Sequence, residues 1–159
     1  MVQESPRRKE IPVGSGTALL TFGYVGDVAR GVRLVTEADG AIVEGEIFNF
    51  GERRSPTMAL RARRILDAAD AADTELVPVP DEALPPDLGI LRSIAQPLLV
   101  SSDKARRLLG WEESDPQESL RRSVAWHLAN PPAGAEDQEE PVDFSADDEA
   151  LERRLAASS

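Results

Sequence analysis

The chain has 159 residues, enough for one domain of ordinary size, and 41% of them are hydrophobic. With 18 lysines and arginines against 29 aspartates and glutamates, its formal net charge is -11 at pH 7, which excludes a generally basic protein that coats nucleic acid. The lack of cysteine excludes disulfides, thiol catalysis and cysteine-bound zinc, and a single histidine excludes a cage of several histidines around a metal.

The N-terminal part of the chain predicts alternating strands and helices. Residues 17–25 (TALLTFGYV) are rich in β-branched and aromatic side chains, which favours a strand. A helix is expected next, with Asp27 as its N-cap, and residues 45–50 (GEIFNF) predict a second short strand. The apolar side of this helix consists of Val28, Val32 and Val35.

The middle of the chain contains several prolines. Ser55 followed by Pro56 predicts the start of a helix, because proline is favoured at the first helical position. Residues 75–80 predict a short extended segment, which its two prolines confine to the edge of a sheet. Residues 81–97 are expected to be mostly loop, and residues 98–100 to form a last short strand.

Two further helices are predicted before the acidic end of the chain. Ser102 is expected to cap a helix that ends at Gly110. The run Asp115-Pro116-Gln117-Glu118 predicts another helix, because Asp115 can cap it and Glu118 can reach back to the cap N–H. The predicted order is β-α-β-α-β-loop-β-α-α, which has too few strands for a complete doubly wound sheet.

Acidic residues are concentrated at the C-terminal end. Residues 131–159 contain nine acidic residues and two arginines, which accounts for -7 of the net charge. We therefore divide the chain into a disordered N-terminus (1–10), a body (11–132) and an acidic tail (133–159). No apolar run approaches the roughly 18 residues of a membrane span, and no signal peptide is recognised, so the cytoplasm is the expected location.

The tail carries a local helix signal. Ser145 and Asp148 predict a capping box. Phe144, Leu151 and Leu155 then have two possible roles: they dock on the body or on a partner, or they belong to a frayed, solvated tail, which is the favoured alternative.

Several residues are of types that often act in catalysis or binding, but their sequence context here predicts structural roles. Gly14 and Gly16 favour a tight turn over a phosphate loop, because a strand-like run follows them directly and no third glycine sits at the needed spacing. Tyr24 has no lysine one helical turn later, so a buried ring with a hydrogen-bonded hydroxyl is expected. His127 has no second metal ligand of its kind and is expected to be partly buried.

One loop offers a ligand-binding candidate. Arg92 lies with Gln96 in a proline-flanked loop, where binding residues tend to occur, and a guanidinium can grip a phosphate or carboxylate with two hydrogen bonds. We therefore select Arg92 and Gln96 as candidate substrate-binding residues. The other arginines form clusters on predicted helices and are expected to be mostly solvated: Arg61, Arg63, Arg64, Arg106, Arg107, Arg121 and Arg122.

Four motifs occur in an order that resembles one known family. They are YVGDVAR at 24–30, GEIFNFG at 45–51, SDKARRLLGW at 102–111 and SLRRSVAW at 119–126. Together they resemble the NAD-dependent epimerase/dehydratase family, the extended short-chain dehydrogenases/reductases, over about residues 11–132. The resemblance implies an α/β fold: the C-terminal portion of a partial Rossmann-like architecture, with few short strands and about four helices.

The matched part is the family's C-terminal, substrate-binding portion. The family's GxxGxxG motif and its Tyr-x-x-x-Lys pair are not in this chain, so it is expected to have no catalytic, cofactor-binding or metal-binding residues and to be inactive alone. The resemblance implies a small-molecule substrate from sugar or related metabolism. It also implies a Rossmann-half partner in trans that would hold NAD, with the helix at Asp27 packing on its sheet.

Two other interpretations stay open. The chain is alternatively a non-enzymatic interaction module that works through its acidic tail. A gene start placed too late is the third possibility, in which case the reading frame upstream of Met1 would encode a GxxGxxG motif. The sequence indicates no oligomeric state, and neither nucleic acid nor a membrane is an expected partner.

Overall fold

A computed structural model describes residues 8–85, 97–131 and 143–154 of the chain. These residues form two strands, six helices and one 3₁₀ turn, which confirms a mixed α/β class. The strands are β1 (Glu10–Val13) and β2 (Glu75–Pro78), and the 3₁₀ turn is Asp81–Ala83. The helices are α1 (Val25–Glu37), α2 (Gly40–Val43), α3 (Met58–Ala68), α4 (Asp103–Leu109), α5 (Pro116–Ala129) and α6 (Ser145–Leu151).

The two strands form a parallel sheet, with Glu10 opposite Glu75 and Val13 opposite Pro78. Parallel strands need a long crossover, which here contains α1, α2 and α3. The edge segment predicted at 75–80 is confirmed as β2. The sequence did not predict β1, because Pro12 weakens its strand signal; a two-stranded sheet has only edge strands, and these tolerate proline.

The structure forms no strand at three segments predicted to be strands: residues 17–25, 45–50 and 98–100. Leu20 makes one isolated parallel bridge to Leu98, and Leu19 makes one antiparallel bridge to Thr57. A β-rich composition favours extended backbone, but a strand also needs a neighbour along its length. Each of these segments pairs with a neighbour through isolated bridges or not at all, so the three strand predictions are wrong.

The ends of the helices show which short sequence signals predicted a helix start or end correctly. Helix α5 begins as predicted, since Asp115 Oδ1 accepts a hydrogen bond from the Glu118 backbone N–H at 2.8 Å. Gly110, with φ of 63°, ends α4 as predicted. Helix α3 begins two residues later than expected, because Thr57 caps it in place of Ser55.

The small apolar core includes part of the acidic tail. Leu151 of α6 is 7% exposed and packs with Val77, Val79 and Leu84, and α6 contacts β1. The Arg8 guanidinium lies 4.6 Å from the centroid of the Phe144 ring. Leu151 therefore docks on the body and Phe144 on Arg8 just before it, contrary to the favoured solvated tail, whereas Leu155 lies outside the described residues.

The predicted capping box of the tail is not formed. At the start of α6, Asp143 Oδ1 accepts the hydrogen bond of the Ser145 backbone N–H at 2.8 Å. This backbone hydrogen bond, together with one from the Ser145 side chain, lowers the pKa of the Asp143 carboxyl below its ordinary value. None of the helices in the described ranges is long and apolar enough to cross a membrane.

Helix α1 packs closely against Phe50 through Gly31. A Cβ atom on Gly31 would lie 2.5 Å from Cδ1 of the Phe50 ring. We expect Gly31→Ala to lower the free energy of unfolding by about 1 kcal/mol, because overpacking costs about 1–3 kcal/mol and the better helix propensity of alanine offsets about 1 kcal/mol of it. Urea denaturation measures the change.

Gly40→Ala is the matched control, because a Cβ atom there meets nothing within 4 Å. We expect this variant to be at least as stable as the parent chain. A Gly31→Ala variant as stable as Gly40→Ala would contradict the close packing of α1 on Phe50.

Candidate functional site

Asp27 lies in the first turn of α1 and is only 4% exposed. Its Oδ1 accepts hydrogen bonds from Ser114 Oγ at 2.6 Å and from Arg30 Nη2 at 2.8 Å, and its Oδ2 accepts one from the Ser114 backbone N–H at 3.0 Å. The predicted N-cap role is wrong, because α1 begins at Val25 and the carboxylate points to another segment. Asp27 instead joins α1 to the residues that precede α5.

Trp111 completes this junction. It is 1% exposed, and its Nε1–H donates to the Asp27 backbone oxygen at 2.9 Å. Its ring centroid lies 5.5 Å from that of Phe50, and the Arg106 guanidinium lies 4.8 Å from the ring. Residues of three motifs that carry the family resemblance therefore meet at one point of the fold.

Ser102 links α4 to this junction. It occupies the predicted cap position, but its side chain makes no cap hydrogen bond. Its Oγ accepts from the Gly51 backbone N–H at 2.8 Å and donates to the Gly51 backbone oxygen at 3.0 Å. The serine therefore holds the segment after residues 45–50 against the start of α4.

Arg61 of α3 is mostly buried rather than solvated, with 15% of its side chain exposed. It forms an ion pair with Glu52, and its guanidinium lies 4.1 Å from the centroid of the Phe22 ring. Its Nε–H is buried and has no hydrogen-bond partner among the described residues. The prediction of a solvated side chain is thus wrong for Arg61, and also for Arg106, whose side chain is 12% exposed.

A cleft of about 260 Å³ lies where the start of α1 meets α3 and α5. We call it the α3–α5 cleft. Ser119 of α5 lines it and is 7% exposed, and its Oγ also lacks a hydrogen-bond partner in the described part of the chain. Its other lining residues include Phe22, Tyr24, Asp27, Glu52, Arg61, Ile65, Trp111, Glu113 and Leu120.

Charged side chains of α5 lie beside the cleft. Glu118 accepts hydrogen bonds from Arg121 Nη2 at 2.7 Å and from Arg122 Nε at 3.0 Å, and these lower the pKa of its carboxyl. The same bond to Glu118 is the largest cause that raises the pKa of Arg122, followed by the side chain of Tyr24. The predicted return bond from Glu118 to the cap N–H is not formed within the described part of the chain, and Tyr24 is half-buried.

The candidate substrate-binding residues Arg92 and Gln96 lie outside the described residues. His127 is exposed, so the prediction of a partly buried side chain is wrong; its ring contacts Trp126 at a centroid distance of 5.0 Å. Sequence reasoning missed Ser119 and the buried position of Arg61. No local signal distinguishes Ser119 from the other serines of α5, because its burial depends on α3 and α1.

The predicted turn at Gly14–Gly16 follows β1, and the next helix, α1, begins only at Val25, so no helix N-terminus directly follows the turn as it does in a phosphate loop. Across residues 8–85, 97–131 and 143–154, no group of three or more histidine, aspartate or glutamate side chains is placed to hold a metal ion. Compared with known proteins, the chain matches no protein-family model, no curated protein and no solved structure.

Proposed function

We propose that this chain is the substrate-binding portion of an NAD-dependent epimerase/dehydratase-like protein, and that a separate dinucleotide-binding half completes the enzyme. The proposal starts from the resemblance of the four motifs. One structural observation supports it: large apolar side chains are exposed on the segments that, by the resemblance, would face the nucleotide-binding sheet.

These apolar side chains are highly exposed for their type. Val25 at the start of α1 is 75% exposed, Val32 on the same helix is 54% exposed, and Ile47 is 81% exposed. Leu98, Leu99 and Val100 are each about half exposed. Large apolar side chains exposed to this degree favour an interaction surface, because their contact with water is unfavourable.

Backbone hydrogen bonds hold the extended segments beside one another. The Thr21 N–H donates to the Leu98 backbone oxygen at 2.9 Å, and the Glu52 N–H donates to that of Phe22 at 2.8 Å. Leu98, from the predicted strand at 98–100, and Glu52, two residues after the predicted strand at 45–50, thus lie beside residues 21 and 22 without forming a sheet. A sheet from another chain that added to them would supply the missing neighbours, which favours a partner that carries a sheet.

The alternative of an interaction module that works through the acidic tail receives no comparable support. The large apolar residues of the tail among those described are Phe144, which contacts Arg8, and Leu151, which packs in the core of this chain. Side chains that pack against this chain are not available to bind a partner.

Mixing experiments test the proposed partner. The second component is a separately expressed dinucleotide-binding half of a family enzyme, truncated before its YVxDVA motif and shown to bind NAD. We expect a one-to-one complex by size-exclusion chromatography with light scattering. Ile47→Glu should weaken it by at least about tenfold, because a charge would be buried at the contact.

Leu128→Glu is the matched control for Ile47→Glu, since Leu128 is 68% exposed on α5, outside the extended segments. We expect it to leave complex formation unchanged. Failure of this chain to bind any of several NAD-competent halves would overturn the split-enzyme proposal.

The chain alone is expected to hold no NAD. Isothermal titration of the isolated chain with NAD should give no binding heat above dilution, because the nucleotide cradle belongs to the other half. Saturable binding of NAD to the isolated chain would contradict the proposed division of labour.

A further inference from the structure

We propose that the partner chain adds an extended, apolar strand beside residues 98–100, with backbone hydrogen bonds to the N–H and the oxygen of Leu99. The inference rests on the proposed function, because the partner is the dinucleotide-binding half. It goes beyond that function by assigning the edge at which the two chains join and the backbone groups that join them.

The extended segment before α4 bonds to the rest of the chain through one side of its backbone. The Leu98 N–H donates to the Leu19 backbone oxygen at 3.0 Å, and the Thr21 N–H donates to the Leu98 oxygen at 2.9 Å. The Val100 N–H donates to Thr21 Oγ1 at 3.1 Å. Residues two apart thus bond toward the same neighbour, which is the alternation of extended backbone. Leu99, between them, therefore directs its backbone groups to the opposite side.

This opposite side is an open edge. The N–H and the backbone oxygen of Leu99 have no hydrogen-bond partner among the described residues, and Leu99 is 54% exposed. Free backbone groups along an extended segment are a template for an added strand. Leu98 and Val100 are each about half exposed as well. Because side chains alternate along extended backbone, an added strand would meet apolar groups on both faces.

The two edges of the β1–β2 sheet, by contrast, each carry a proline that faces outward. The Val79 N–H donates to the Val13 backbone oxygen at 3.1 Å, so these two residues face each other across the sheet. By the alternation along a strand, Pro12 of β1 and Pro78 of β2 face away from it. Proline offers no N–H to an added strand, which is one way in which proteins protect sheet edges. The edge at Leu99 has no such protection.

The charge of the chain favours a different protein over a second copy as the occupant of this edge. Residues 97–102 (PLLVSS) carry no charged side chain, so an apolar strand can approach them. Two copies would each bring a formal net charge of -11 to the contact, and like charges repel. The added strand therefore belongs to another chain, and the dinucleotide-binding half, which carries a sheet, supplies one.

Amide hydrogen exchange of the unaltered chain, followed by nuclear magnetic resonance, is the first test. In the isolated chain, the Leu99 amide should exchange at least about tenfold faster than the Leu98 amide, which is hydrogen-bonded. A saturating amount of the dinucleotide-binding half should slow exchange at Leu99 by at least about tenfold. An unchanged exchange rate at Leu99 in the complex would overturn the proposal.

Two substitutions of Leu99 separate its N–H from its side chain. Leu99→Pro removes the N–H and should weaken the complex by at least about tenfold, as measured by isothermal titration. Leu99→Val is the matched control, because valine keeps the N–H and has as many side-chain carbons as proline. It should change the affinity less than about threefold. Equal affinities of the two variants would contradict pairing through the Leu99 N–H.

The outcomes keep the two proposals apart. A complex that forms without protecting the Leu99 amide overturns this edge as the joint and leaves the split enzyme standing. Failure to form a complex with any dinucleotide-binding half overturns both, since the second proposal rests on the first. Light scattering of the chain alone gives a further outcome: a dimer that Leu99→Pro abolishes would show that a second copy occupies the edge, and would also overturn the proposal.

Discussion

Replacing Asp27 with alanine is expected to lower the free energy of unfolding by about 3 kcal/mol, a large part of the roughly 5–15 kcal/mol of a typical domain. The carboxylate accepts two hydrogen bonds from Ser114 and one from Arg30. Hydrogen bonds to a charged group contribute about 1.5–3 kcal/mol each. The two from Ser114 dominate, because 37% of the Arg30 side chain is exposed and water can solvate its charge.

Asp103→Ala is the matched control for Asp27→Ala, since Asp103 also lies in the first turn of a helix but is exposed. Its loss should cost less than about 1 kcal/mol, the range of a helix-dipole effect. Denaturant unfolding followed by circular dichroism measures both variants. Equal losses for the two would mean that Asp27 acts only on its own helix and does not join α1 to Ser114.

Asp27 also shows where sequence reasoning about the fold stops. The features predicted correctly depend on residues a few positions apart, such as the cap at Asp115, the end of α4 at Gly110 and the edge character of β2. An aspartate near a helix start fits a cap equally well, so the local pattern could not reveal that Ser114, 87 residues away, takes its carboxylate. The strand predictions failed for the same reason, since strand pairing is non-local.

The candidate site was less predictable than the fold. Arg61 sits among other arginines on α3, which is the pattern of a solvated helix face. Glu52 and Phe22, from a different part of the chain, contact its guanidinium and contribute to its burial. Ser119 becomes informative only when its burial and its missing partner are known. Both are properties of the assembled helices rather than of any one segment.

Leu151→Ala is expected to lower the free energy of unfolding by about 2–4 kcal/mol and to release α6 from the body. Leu151 belongs to a core cluster whose other members are Val77, Val79 and Leu84, so its loss leaves a cavity that few neighbours can fill. A helix of seven residues is not stable alone, so α6 depends on this packing. Amide hydrogen exchange should show fast exchange throughout α6, and faster exchange in β2.

The control is Leu128→Ala, at a leucine that is 68% exposed on α5, and its effect should stay within about 0.5 kcal/mol. If Leu151→Ala behaved in the same way, α6 would not be part of the core.

The effect of Leu151→Ala also decides which variant can test whether the tail binds a partner. Deleting residues 133–159 removes Leu151 and so disturbs the body, whereas Glu149→Gln changes the charge at an exposed position of α6 and leaves the apolar contact intact. Loss of partner binding by Glu149→Gln, at unchanged stability, would therefore show that the charge of the tail binds the partner. Loss of binding on deletion of the tail would not.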